Sequence, residues 1–115
     1  MDFSLQQGLV GFTLMLDDKV ICYTPTPGKQ PTRIDGWKFE CVRDAILLAL
    51  PEQGEGVLFK QLPALVAGLL SPQDKQKLGS VSWYTTTVKL HLETTEEIVR
   101  VLGASPQRLL KSSSL

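Results

Sequence analysis

The sequence predicts an α+β domain of the winged helix-turn-helix class: three main helices, a C-terminal β-hairpin wing and an N-terminal β-hairpin extension. Three observations predict it. Between residues 36 and 94, apolar positions recur at helical spacing in blocks broken by Pro51, Pro72 and Gly79. The segment "EIVRVLGASPQRLLK" that follows alternates and then turns, as a hairpin does. At the other end, "LVGFTLML" and "KVICYT" flank Asp17 and Asp18 and are rich in β-branched and aromatic residues.

Those two N-terminal runs are expected to pair with each other across Asp17-Asp18. "PTPGKQPTR" combines three prolines with a glycine and reads as an extended connector, with Lys29 and Arg33 making it a candidate basic arm. Asp35 stands where a helix N-cap belongs, accepting from the unpaired amides of a first helix that runs to Leu50 and stops at Pro51. On that helix Phe39, Val42, Ile46, Ala49 and Leu50 form one stripe and Cys41, Ala45 and Leu48 a second, nearly opposite. A helix apolar on two sides needs two covers, and the N-terminal hairpin is the expected second one.

After the "EQGEG" loop, "VLF" is a short strand expected to pair with the wing. The second helix is expected over about Lys60 to Leu70, with Leu62, Leu65, Val66 and Leu69 at core spacing and Pro63 confined to its first turn. Ser71, Pro72 and Asp74 then read as the N-cap, first position and capping acid of a short extra turn ending at Gly79. The third main helix is capped by Ser80 or Ser82 and continues to about Thr94. The wing strands are Ile98 to Leu102 and Gln107 to Lys111, and "SSSL" should fray. The division is residues 1–26 as the hairpin extension, 27–111 as the winged-helix core and 112–115 as the tail.

At 115 residues, with 43% hydrophobic and 21% charged residues, the chain is one domain able to bury a modest core. Its longest apolar runs fall short of a membrane span, and the N-terminus lacks the basic region and cleavage site of a secretion signal, so a cytoplasmic location is expected. Cys22, Cys41 and the single histidine, His91, cannot assemble a four-ligand structural zinc site. Catalysis is not expected either: no nucleophile motif surrounds His91 and no glycine-rich phosphate loop is present. No small-molecule cofactor is implied.

The order of "PGK", "TRID", "KF", "ALP" and then "W" and "LE" in the last helix resembles an uncharacterised bacterial family of short winged-helix-like proteins, a domain of unknown function. The resemblance covers about Pro27 to Lys111. It implies a winged helix and, by analogy, DNA binding in transcriptional regulation. The chain departs from the family pattern in having no glycine in "ETTEEIV" at the end of the last helix, and residues 1–20 lie outside the pattern.

Twelve bases and twelve acids cancel, which is unusual for a chain whose affinity depends on phosphates. Residues 75–115 are more basic, with Lys75, Lys77, Lys89, Arg100, Arg108 and Lys111 against Glu93, Glu96 and Glu97. Placing Val81, Tyr84, Val88 and Leu92 on the core side of the last helix turns Trp83, Thr86, Thr87, Lys89, Leu90 and Glu93 outward. Thr86, Thr87 and Lys89 on the helix, with Arg100, Arg108 and Lys111 on the wing, are therefore the candidate contacts to double-stranded DNA. Trp83 and Leu90, seven residues apart on one face, are the candidate contacts to a protein partner or a second copy of the chain. A positive stripe through Lys89, Arg100, Arg108 and Lys111 would favour DNA, and an apolar patch at Trp83 and Leu90 would favour a partner. His91, beside the core stripe, is expected to be a hydrogen-bonded structural histidine.

Overall fold

The computed structural model describes residues 18–112. In chain order these form β1 (Lys19–Cys22), β2 (Thr32–Asp35), α1 (Gly36–Ala49), β3 (Val57–Leu58), a 3-10 turn (Phe59–Gln61), α2 (Leu62–Leu69), α3 (Pro72–Leu78), α4 (Val81–Thr94), β4 (Ile98–Arg100) and β5 (Arg108–Lys111). The fold is α+β: a two-stranded hairpin, then helices, then a small antiparallel sheet, broadly the arrangement of a winged helix.

An N-terminal two-stranded hairpin is present, and it includes a strand from the segment read as a connector. Residues 9–16, its expected first strand, lie outside the described residues. The expected second strand, β1, pairs antiparallel with β2, in register Lys19 to Asp35 through Cys22 to Thr32. Pro25, Pro27 and Pro31 all fall in the loop between them, so the β-branched Thr32 and Ile34 are left able to pair. Alternation then sends Cys22 and Ile34 into the core and Arg33 to solvent. Asp35 does stand at the α1 N-cap, but its side chain caps nothing: it pairs with Lys19 across the hairpin, which holds its carboxyl below the usual range.

Leu50 closes α1 through its N–H to the Ile46 carbonyl (3.1 Å), and Pro51 follows. Phe39, Val42, Ala45, Ile46 and Leu50 are buried. Among the described residues, the hairpin does not cover the second stripe. Ala45 is buried and Cys41 lies beside Asp74 of α3 (Sγ to Oδ2 3.8 Å), but Leu48 is 75% exposed. The hairpin packs against the start of α1 and the flank of α4, because Cys22 and Ile34 share the core of Phe39, Val42 and Leu92.

In α2, Pro63 sits in the first turn as expected, but only Leu62 and Val66 of the four expected core residues are buried; Leu65 and Leu69 are exposed. An eight-residue helix offers a single i, i+4 ridge to α1 and α4, and the other two leucines fall beside it. In α3 the capping follows the sequence, with Ser71 Oγ accepting from Asp74 N–H (3.0 Å) and Gly79 ending the helix at φ +92°. Ser80 caps α4, its Oγ accepting from Trp83 N–H (3.1 Å).

The C-terminal sheet runs β3-β5-β4, so the short strand after "EQGEG" pairs with the wing, Val57 opposite Leu109 and Leu58 opposite Arg108. Ile98 and Leu109 point inward, into the core cluster that also holds Leu62, Val66 and Leu92. The turn from α4 into β4 lacks glycine, and Glu96 itself takes the left-handed conformation at φ 64°. Ser112, expected to fray, is instead tied by its N–H to the Glu97 carbonyl (2.9 Å).

Candidate functional site

Helix α4 positions Trp83, Thr86, Thr87, Lys89 and Leu90, while Arg100 lies on β4 and Arg108 and Lys111 on β5; the burial pattern of α4 decides which of its own candidates reach solvent. Thr85, Val88, Lys89 and Leu92 are buried and Tyr84 is half-buried. The core stripe is centred on Thr85 and Leu92, and relative to the expected stripe it is rotated towards Lys89. At about 100° per residue, that rotation is enough to bring Lys89 inside.

Lys89 is the main correction to the expected site. Only 1% exposed, it forms an ion pair with Glu93 one turn on, and its Nζ lies 4.4 Å from the Phe59 ring centroid. Burial pulls its ammonium below the ordinary value, while Glu93 opposes that shift. Glu93 also accepts from Arg100 Nε of β4 (2.7 Å), so one carboxylate takes both cations. The positive stripe is broken as a result. Arg100 is exposed but paired, Arg108 donates from its guanidinium to the Gly56 carbonyl (3.1 Å), and Lys111 lies half-buried on β5.

The outward strip of α4 is narrow. Thr86 is half-buried. Thr87 and Leu90 line a groove of about 270 Å³ whose opposite wall is the hairpin loop, with Thr24, Thr26, Lys29 and Gln30. That loop is held by His91, whose Nδ1 accepts from Tyr23 N–H (3.1 Å), the hydrogen-bonded role expected of it. Leu90 is therefore partly covered by the chain itself and separated from Trp83, which is 47% exposed.

Trp83 belongs to a different cluster, whose other members the sequence pattern does not mark. Its ring meets Tyr84 edge-on (centroids 4.8 Å apart, 82°). Lys38 Nζ donates to the Tyr84 hydroxyl (3.2 Å) and lies 5.0 Å from the Tyr84 centroid and 5.8 Å from that of Trp37. Trp37 is 43% exposed and borders a shallow cleft with Asp18, Val20 and Glu40. Trp37 and Lys38 precede Phe39 on α1, so Trp37 lies about 200° from a core residue. A tryptophan opposite the core stripe was the available signal.

Burial pushes the Cys22 thiol up to about 11, and burial together with Asp74 also raises that of Cys41. Neither is a thiolate at neutral pH. Among the described residues no three His, Cys, Asp or Glu side chains are placed to hold a metal ion, and no helix is long and apolar enough to cross a membrane.

Fold and surface together define a small α+β, winged-helix-like domain with a buried charge cluster and an exposed aromatic face. The chain belongs to a family of unknown function, DUF6958, which it matches over residues 19–109. That match begins on the first residue of β1, so the hairpin, and not only the helices and wing, is part of the family's domain. No curated protein and no solved structure matched the chain significantly.

Proposed function

We propose that the protein is an interaction module that pairs with a second copy of itself through the aromatic face at the starts of α1 and α4. The observation that carries this reading is that both tryptophans of the chain stand about half exposed in one contact cluster around Lys38. Apolar area left in water costs about 25 cal/mol per Å², and tryptophan and tyrosine are the residues that most often anchor interfaces. With a net charge of +0, two copies do not repel one another. Asp18 and Glu40 flank Trp37, and Lys38 sits among the rings, so the face carries both signs around aromatic surface. A two-fold axis can match such a face to itself.

Sedimentation velocity over a range of concentrations tests this. The wild-type chain should shift from monomer to dimer. Trp83→Ala should weaken the dimer by about 30-fold, corresponding to the roughly 2 kcal/mol of an interface anchor, and leave the circular dichroism unchanged. A wild-type chain that stays monomeric at every concentration would sink the reading.

A second reading, contact between the wing and DNA phosphates in transcriptional regulation, is supported by the winged-helix strand order β3-β5-β4. Its charge is small. With Lys89 buried and Arg100 paired to Glu93, Arg108 and Lys111 remain from the expected set. Two phosphate contacts give a slope of log affinity against log salt of about −2. Fluorescence anisotropy with a labelled duplex should therefore show weak binding with that shallow slope; a slope near −6 would mean that other bases carry the contact.

A further inference from the structure

The loop Tyr23–Pro31 joins β1 to β2 and forms one wall of the groove over α4. Its own hydrogen bonds are weak turn contacts, Thr26 N–H to Thr24 Oγ1 (3.2 Å) and Lys29 N–H to the Thr26 carbonyl (3.4 Å). The strands at its base are anchored in the core by Cys22 and Ile34. What ties the start of the loop to α4 is His91. Its Nδ1 accepts the Tyr23 N–H at 3.1 Å, its ring stacks on that of Tyr23 (6.1 Å, 27°), and the Phe39 ring meets it at 5.5 Å and 77°.

We propose that His91 is a proton-operated latch that holds the Tyr23–Pro31 loop against α4 when neutral and releases it when protonated. Accepting at Nδ1 requires a lone pair there, so the latched imidazole is neutral and carries its proton on Nε2. A proton on Nδ1 turns the acceptor into a donor facing another donor, the Tyr23 N–H. The bond is then lost and the two groups repel. Release would widen the groove and bare Thr87 and Leu90, the part of α4's outward strip that the loop covers. The strands stay in place because Cys22 and Ile34 remain buried. The latch is independent of pairing through the tryptophans, which lie on another part of the surface.

The charged surroundings of the latch set its direction. From the α4–β4 connection, Glu97 attracts the imidazolium, but its carboxylate is already shared by Arg43 of α1 (Nε to Oε1 2.8 Å) and the Thr95 hydroxyl (2.8 Å). From the hairpin and α1, the ring is met by the aromatic rings of Tyr23 and Phe39. Burial outweighs Glu97 and holds His91 below its ordinary value of 6.5. The unfolded chain therefore takes up this proton before the folded one does. The stabilisation is complete above about pH 6.5, declines as pH falls below it and is gone below the lowered folded value.

Amide exchange followed by NMR tests the latch, with each protection factor normalised to the intrinsic rate at its pH. In the wild-type chain, Tyr23 protection should fall by about tenfold or more between about pH 7.5 and about pH 5.0, in step with titration of the His91 ring, while Val20 in β1 stays protected. His91→Asn places a non-titrating amide oxygen where Nδ1 sits, and should hold Tyr23 protection constant over the same range. Unchanged wild-type protection while His91 titrates would overturn the proposal. The same fall in His91→Asn would overturn it too. The wild-type titration decides the matter even if the variant folds poorly.

Discussion

Glu93→Ala should destabilise the fold by about 3–5 kcal/mol in urea denaturation, whereas Lys89→Met should cost much less. The asymmetry follows from what each change leaves behind. Removing Glu93 strands the Lys89 ammonium, which is 1% exposed, against the Phe59 ring with no counter-charge. It also releases Arg100 of β4, so the wing loses its ion pair to α4. Removing Lys89 leaves Glu93 still paired with Arg100, and methionine fills nearly the same volume against Phe59. The double replacement Lys89→Met with Glu93→Leu should recover most of the loss. Equal costs for the two single changes would mean that Lys89 is solvated and that the inward rotation of α4 is wrong.

Gly56→Ala should cost on the order of 3 kcal/mol, the sum of backbone strain and overpacking. Gly56 has φ +82°, and a Cβ there would stand 2.6 Å from the Leu109 carbonyl oxygen and 3.0 Å from a methyl of Val101. The obstruction is the backbone of β5, which cannot move without breaking its pairing with β3. Gly54, at φ +99° with nothing within 4 Å of its would-be Cβ, carries only the backbone part. Gly54→Ala should therefore cost about 1 kcal/mol, and thermal unfolding of the two variants separates the contributions.

The features legible in the sequence were those decided by local chemistry. Ser71, Pro72 and Asp74 announce α3, Ser80 announces α4 and Pro51 follows the end of α1, because capping involves residues within one turn of each other. The wing was legible from alternation, and the short strand after "EQGEG" from the strand that a winged helix pairs with its wing. The pairing of β1 with β2 was not, since three prolines resemble a connector and nothing local shows which strand lies across the loop. Lys89 was misplaced for a different reason: its charge argued for solvent, while its burial depends on Glu93, Arg100 and Phe59 converging from three elements. Thr85 at the centre of the core stripe concealed the rotation, because a polar residue there gives no apolar mark. Of the candidate site, Trp83 was found; its partners Trp37 and Lys38 were not, because they come from the start of a helix read only for its core face.

The chain has two tryptophans and both lie on the proposed interface, so intrinsic fluorescence reports on that face directly. The most direct measurement is acrylamide quenching and emission maximum of the wild-type chain as a function of protein concentration, paired with Trp83→Ala. If the aromatic face is the working surface, quenching should fall and emission shift to the blue as concentration rises through the dimerisation midpoint, and the remaining Trp37 in the variant should stay quenchable up to about 30-fold higher concentration. Quenching that is the same at every concentration in the wild-type chain, with both tryptophans as accessible as their exposure in the single chain implies, would contradict the account.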